Sequence, residues 1–346
     1  MIRKLALFAV LCAGCGGPTV KPNPDTRALK PKAVESRAER TARETDLPLR
    51  EASPKSKHQP LPDDADRVAR FDQLILSWRD EIKRDFKFRR VKDWKGLKFV
   101  FLPQRLELQR FGYQSFERGK GQLGQLAYQE AVGRIATITE VEAREDVGYN
   151  LTFTMDQNSE ICTAFALDDL ASISGVAPLV DIETARAKWR GKVLWLNTRR
   201  VATYDSTTGD LGDAEMKKYD RVTVVDVVPG WSNNEPVRFL LRSTAGKEGF
   251  LDCNFSGTNS YGGYKLLQPD ESFLTEDPRP IFSSWSDDVW KSIQEGKVFI
   301  GMTPQQARMS WGAPNRVNRT TTASGNREQW VYKSRSYLYF ENGLLT

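Results

Sequence analysis

The whole chain holds one histidine, His58, set in a run of prolines and charges rather than among apolar residues. That removes Ser-His-Asp and Cys-His nucleophile chemistry, and any His-based metal site in the folded part. Of the four cysteines, Cys162 and Cys253 stand far apart, and two separated cysteines cannot build a structural zinc site. There is no Gly-x-x-x-x-Gly-Lys-Ser/Thr loop and no dinucleotide fingerprint after a strand. Adjacent carboxylates do occur, Asp168-Asp169 and Asp287-Asp288, and helix starts and solvated loops account for both. Two carboxylates from different segments are all that a glycoside hydrolase needs, yet nothing singles out such a pair. The expected catalytic set is empty. No metal and no cofactor is expected.

What remains is binding chemistry. Trp94, Trp189, Trp195, Trp231 and Tyr204 fall in or beside segments of β character, and core packing accounts for most of them. Trp231, in the turn-like stretch PGWSNN, is the aromatic expected to be exposed. It is the leading candidate for a ligand-contacting side chain, with Tyr204 second. In an exported chain a cysteine pair invites a disulfide, so Cys162 and Cys253 form a candidate bridge. Equivalent positions in tandem domains need not be neighbours, and a free buried Cys packing as a small hydrophobe is the expected state.

The elements that position these residues follow from composition and pattern. Residues 1–15, MIRKLALFAVLCAGC, have a basic start at Arg3 and Lys4, an apolar run from Leu5 to Leu11, and small residues before a cysteine. The run is too short to span a bilayer as a helix and reads as a secretory signal. Its end resembles the bacterial lipobox, with Cys12 at the position usually held by Leu. The resemblance implies cleavage before Cys15, acylation of its thiol and new amino group (palmitate among the chains), and membrane anchoring. Gly16 in place of Asp implies the outer rather than the inner membrane, facing the periplasm. The formal charge of +6, less Arg3 and Lys4, leaves +4, too weak and too evenly spread to argue nucleic acid.

Residues 16–65 contain no Phe, Tyr or Trp and eight of the seventeen prolines. Such a segment is expected to be a disordered, extended tether. Over 66–87, Val68, Phe71, Ile75, Trp78 and Ile82 recur at helical spacing opposite a charged face, which predicts an amphipathic packing helix. Two Trp-x-Gly openings, DWKGLKFVFLP (93–103) and KWRGKVLWLN (188–197), then mark an internal repeat. Each is followed by a Tyr-bearing segment, an alternating strand pair and a cysteine, so Cys162 and Cys253 read as roughly matching positions. The repeat predicts a first small β domain over 88–185 and a second over 186–275. Residues 189–265 resemble an SH3-like barrel of the bacterial kind.

Residues 280–346 form the last unit. SWSDDVWKSIQEG predicts a helix with Ser284 as N-cap, Asp287 and Asp288 in its first turn, and Gly296 at its close. TPQQARMSWG predicts a short helix with Thr303 as cap, Pro304 at the first position, Gln306 completing a capping box, and Gly312 and Pro314 as the stop. Strands follow, and Asn342-Gly343 signals a hairpin. Ile300-Gly301-Met302-Thr303, the Trp311-Gly312-x-Pro314 close and the later Gln329-Trp330-Val331-Tyr332 resemble the SmpA/OmlA (BamE-like) domain family. The fold class expected is mainly β with a small α+β domain: tandem SH3-like barrels followed by a BamE-like two-helix plus antiparallel-sheet unit. The resemblance implies a non-enzymatic scaffold or outer-membrane assembly factor whose partners are outer-membrane or periplasmic envelope proteins. The alternative is peptidoglycan or another cell-wall ligand held by the SH3-like domains.

Overall fold

A computed structural model describes residues 63–119, 125–144, 147–261, 272–322, 325–333 and 336–346. The expected signal peptide, the lipid-acceptor Cys15 and the tether up to residue 62 lie outside the described residues. The described residues begin with α1 (Asp63–Asp85), which covers most of the expected helix over 66–87. Phe71, Trp78 and Ile82 on its apolar stripe are buried, as the helical spacing requires.

The first repeat comprises β1 (Lys98–Phe101), the one-turn α2 (Leu106–Gln109), β2 (Tyr113–Arg118), β3 (Gln125–Leu126), the one-turn α3 (Tyr128–Ala131), β4 (Ile135–Arg144), β5 (Gly148–Met155), β6 (Ile161–Ala166) and β7 (Val176–Pro178). They form one antiparallel sheet in the order β3-β2-β6-β5-β4-β1-β7. After α4 (Leu179–Trp189), the second repeat supplies β8 (Val193–Leu196), β9 (Arg200–Tyr204), β10 (Leu211–Glu215), β11 (Arg221–Ser232), β12 (Glu235–Ser243), β13 (Glu248–Cys253) and β14 (Phe273–Leu274). Their order, β10-β9-β13-β12-β11-β8-β14, is the same permutation. The protein is thus mainly β: two curled antiparallel half-barrel sheets, followed by a small four-stranded antiparallel sheet with short helices.

The Trp-x-Gly repeat has a backbone cause. Gly96 (φ 84°) and Gly191 (φ 76°) both occupy the left-handed region, where a side chain would be strained. Gly96 N–H donates to Ile138 O at 2.7 Å, and Gly191 N–H donates to the matching Val224 O at 2.8 Å. One residue further along, both sheets carry a β-bulge, between Ile138 and Glu140 in β4 and between Val224 and Asp226 in β11. A bulge bends its strand and increases the local twist, so the same device curls both sheets. Trp94 and Trp189 are core residues, 1% and 3% exposed.

The pairing register corrects the expected match of the cysteines. Cys162 pairs with Phe153, and the equivalent pair in the second sheet is Gly249 with Leu241. Cys253 pairs with Val237, and its equivalent is Ala166 with Tyr149. The two cysteines therefore stand at opposite ends of corresponding strands, and in different cores. Both are free and buried, so the candidate bridge is not formed. Burial pushes the Cys162 thiol up to about 12 and raises Cys253 as well. Neither thiol should react with a disulfide reagent in the native protein at pH 8. Peptide mass spectrometry checks this: labelling of either residue before denaturation would refute the packing.

The expected boundary at 185/186 also moves. Ile182, Ala185 and Trp189 of α4 pack with the second sheet's core, because the helix lies across β11 and β12. The same core takes in Val100, Leu102 and Ala177 from the far face of β1 and β7, and Trp78, Ile82 and Phe86 from the helix-strap segment. The last unit contains α5 (Asp287–Gln294), α6 (Pro304–Trp311), β15 (Arg316–Thr322), β16 (Gly325–Val331), β17 (Tyr337–Glu341) and β18 (Leu344–Leu345). The capping box of α6 is present as expected, with Thr303 Oγ1 accepting from Gln306 N–H and Gln306 Oε1 accepting from Thr303 N–H. For α5 the cap is Ser286 rather than Ser284, its side chain accepting from Val289 N–H. The core of this unit includes Phe71 of α1 together with Tyr219 and Leu274 of the second repeat. One helix therefore packs on two successive cores.

Candidate functional site

Period-2 alternation puts Val237, Phe239 and Leu241 of β12 into the core, so Arg238 stands on the outer face of the second sheet. Asp252 of β13 is directly opposite it. The two form a bidentate pair, Nε to Oδ1 and Nη2 to Oδ2, both at 2.7 Å. The Arg238 side chain is only 8% exposed, because aromatic rings enclose it. Its guanidinium carbon lies 3.7 Å from the Trp231 ring centre and 3.8 Å from that of Phe250. The two rings meet edge to face at 5.4 Å, so the guanidinium sits in the corner between them. Tyr204 closes the row, edge to face with Trp231 at 4.7 Å.

Burial of Asp252 outweighs its arginine partner, and its carboxyl sits above the ordinary carboxylate range. Arg238 is consequently committed to Asp252 and offers little net charge to a ligand. The usable chemistry lies beside it. Tyr204 lines an open cleft of about 540 Å³ with Thr203, Asp205, Ser206, Asp210, Leu211 and Gly212. The cleft is shaped by a tight β9–β10 connection, in which Asp205 N–H donates to Asp210 O and Gly209 N–H donates to Asp205 O. Thr207 and Thr208 N–H donate to Asp205 Oδ1, and these bonds hold its carboxyl below the usual range. The first repeat reaches the rim: Leu106 N–H donates to Tyr204 Oη at 3.4 Å.

The repeat itself shows that this arrangement is not required by the fold. Following the pairing register, the positions of Tyr204, Arg238, Phe250 and Asp252 are held in the first sheet by Gly119, Asn150, Thr163 and Phe165. The first sheet adopts the same order and bulge without the stack.

Both expected ligand-contacting residues are thus brought together, Trp231 against Tyr204. Trp231, however, is a half-buried residue of β11, not an exposed turn residue: the turn-forming residues after it, Asn233 and Asn234, make the reversal one step later. Sequence reasoning missed Arg238, Phe250 and Asp252. The available signal was an arginine inside the apolar run PVRFLL, which a strict period-2 reading places on the outer face. Asp168-Asp169 and Asp287-Asp288 sit where expected, in a loop and at a helix start. Among the described residues no group of His, Cys, Asp or Glu is placed to hold a metal ion, and no helix is long and apolar enough to cross a membrane.

The architecture defines a mainly β protein of two repeated curled sheets and a small helix-bearing sheet, with the Trp231–Arg238–Phe250 stack on the second of the repeated sheets. No family model, no curated protein and no solved structure matches the chain.

Proposed function

We propose that the protein is an envelope lipoprotein, anchored through acylated Cys15 in the outer membrane and facing the periplasm. In this reading it acts as a non-enzymatic scaffold or outer-membrane assembly factor through protein–protein binding. The two curled sheets are SH3-like units and the last unit is BamE-like. The observation that carries the reading is the course of α1. Its first half packs on the last unit, through Phe71 on Phe282 and the Asp72–Arg308 pair. Its second half packs on the second unit, through Trp78 on Phe273. The described residues therefore start on the last unit and continue onto the second, so that one helix ties the two together. A strap of this kind presents neighbouring units in fixed order, which is what a scaffold requires.

Purification from detergent-solubilised envelopes tests the proposal. Co-purification of barrel-assembly proteins is expected, and their absence together with sedimentation on purified cell wall would overturn it. Cys15→Ala should release the protein from membranes.

A second reading, cell-wall binding, is favoured by the Tyr204–Trp231 pair beside a cleft lined by Thr, Ser and Asp side chains. Aromatic faces and hydroxyl-pairing groups suit a saccharide. Trp231→Ala is then expected to lower the fraction sedimenting with purified peptidoglycan about tenfold, the scale of one lost aromatic contact. Unchanged sedimentation would exclude the cleft as the wall site.

A further inference from the structure

The β9–β10 hairpin carries four acidic residues, and they divide sharply. Near its base, Glu215 pairs with Arg199 at 3.1 Å and Asp213 with Arg200 at 3.8 Å. At its tip, Asp205 and Asp210 have no basic partner among the described residues. Two neighbouring cations are engaged elsewhere: Arg238 with Asp252, and Arg105 with Glu107 at 2.7 Å. Beside these two carboxylates lies apolar surface, with Tyr204 backed by Trp231 on one side and the exposed Leu211 and Leu106 on the other. A negative, aromatic-walled cleft complements an extended segment in which apolar residues neighbour a cation. Proline suits such a segment, because its pre-set backbone lowers the ordering cost of binding.

The chain carries a segment of this chemistry immediately before Asp63. Residues 48–62 read PLREASPKSKHQPLP, with four prolines and the cations Arg50, Lys55 and Lys57 against one acid, Glu51. Its end is fixed: α1 begins beside the last unit, where Arg67 bonds Ser284. From there α5 runs about 12 Å to Gly296, whose neighbour is Arg199 at the base of β9. Strand β9 then covers about 17 Å to Tyr204. Residues 50–62 in polyproline conformation reach about 40 Å, more than either leg and comparable with the whole path.

We propose that this cleft holds the chain's own residues 48–62. Pro48 and Leu49 lie against Tyr204, Trp231 and Leu211, and Arg50 pairs with Asp205 and Asp210. The segment is thereby folded back on the second unit until a competing ligand displaces it. The latch depends on neither reading of the function.

Limited trypsin digestion of the full chain tests it, because Arg50-Glu51 and Arg43-Glu44 offer the same scissile pair. Cleavage after Arg50 is expected to be about tenfold slower than after Arg43, since cleavage tracks the undocked population. Asp205→Asn with Asp210→Asn should equalise the two rates, and so should excess synthetic peptide of residues 48–62. Both substitutions lie on an exposed hairpin, and unchanged circular dichroism confirms the fold. Equal rates in the wild type overturn the latch, as does protection that survives both the double substitution and Trp231→Ala. Peptidoglycan binding at the cleft with equal wild-type rates would overturn the latch and leave the wall reading standing.

Discussion

Asn259→Ala is expected to destabilise the protein by about 3–5 kcal/mol, the largest loss of any single polar substitution discussed. The residue is 2% exposed and sits in the seam where the second unit meets the first. Its Nδ2 donates to Ile173 O at 2.9 Å and to Val176 O at 2.7 Å, and its Oδ1 accepts from Ile173 N–H at 2.6 Å. Ile173 and Val176 belong to the core of the first unit, so this one amide behaves like an extra piece of strand joining two domains. Removing it leaves three backbone groups buried without partners, and each unpaired group costs about 1–3 kcal/mol before relaxation. A second cost comes from the backbone. Asn259 has φ 62°, where asparagine is tolerated and alanine loses roughly 1 kcal/mol. Asn259→Gly removes the hydrogen bonds without that strain, so the difference between the two variants isolates it. Urea unfolding is the measurement. An alanine variant within about 1 kcal/mol of wild type would mean that the seam is not held by this side chain.

The Asn259 contacts belong to a wider polar lining. Asn254, Ser256, Thr258 and Ser260 are all buried in the same stretch. Ser256 Oγ bonds the buried Asp181 of α4, and Thr258 Oγ1 accepts from Arg89 N–H at 3.0 Å. Burial pushes Asp181 up to about 6, against the pull of its serine partner. Polar seams of this kind fix orientation because only one registration satisfies every group. An apolar seam would tolerate sliding. For a protein whose proposed task is to hold units in fixed order, that distinction matters more than net stability.

How far the sequence could be read depended on how local each cause is. The capping box at Thr303 and Gln306 was legible because every participant lies within one turn of helix. The two Trp-x-Gly openings were legible for a similar reason: each glycine answers a left-handed backbone position at the same point of the repeat. The cysteine match failed because Cys162 and Cys253 take different places on corresponding strands, the second and the last, and a strand's partners are not visible in its own sequence. Ser286 was passed over for Ser284 since both precede the same acidic first turn, and tertiary packing chooses between them. Trp231 looked like a turn residue because Pro229, Gly230 and Asn233 surround it, yet the strand continues through Gly230. The Arg238–Asp252 stack and the Asn259 seam involve residues brought together only by the fold. The expected resemblance to SH3-like and BamE-like domains rests on motifs of the local kind, which carry the coarse architecture of curled sheets and short capped helices and no more.

Lys218→Met is expected to stabilise the protein at neutral pH by about 3 kcal/mol, an unusual sign for removing a buried contact. Lys218 lies beneath α6, where its Nζ donates to Ser310 O at 3.3 Å and its backbone N–H donates to Gln294 O at 3.1 Å. The next residue, Tyr219, donates from its hydroxyl to Met309 O at 3.3 Å and packs edge to face on Trp290. The loop thus caps the C-terminal ends of both helices of the last unit, where partial negative charge favours a cation. That attraction does not offset burial. No carboxylate pairs with Lys218 among the described residues, and desolvation pushes its ammonium down to about 8. The unfolded value is near 10.4, so the native state is penalised by roughly 3 kcal/mol wherever the lysine is charged in both states. Below about pH 8 the penalty is constant. Between about 8 and 10.4 the unfolded chain binds a proton that the native chain does not, and the wild type gains stability as pH rises. Buried tyrosines such as Tyr113 and Tyr219, raised by desolvation, act in the opposite direction at high pH. The informative quantity is therefore the difference between variant and wild type at each pH. Urea unfolding should show a gap of about 3 kcal/mol at pH 7, closing through pH 10. A variant less stable than wild type at pH 7, or a gap independent of pH, would show that the lysine stabilises its contact with the two helices rather than straining it.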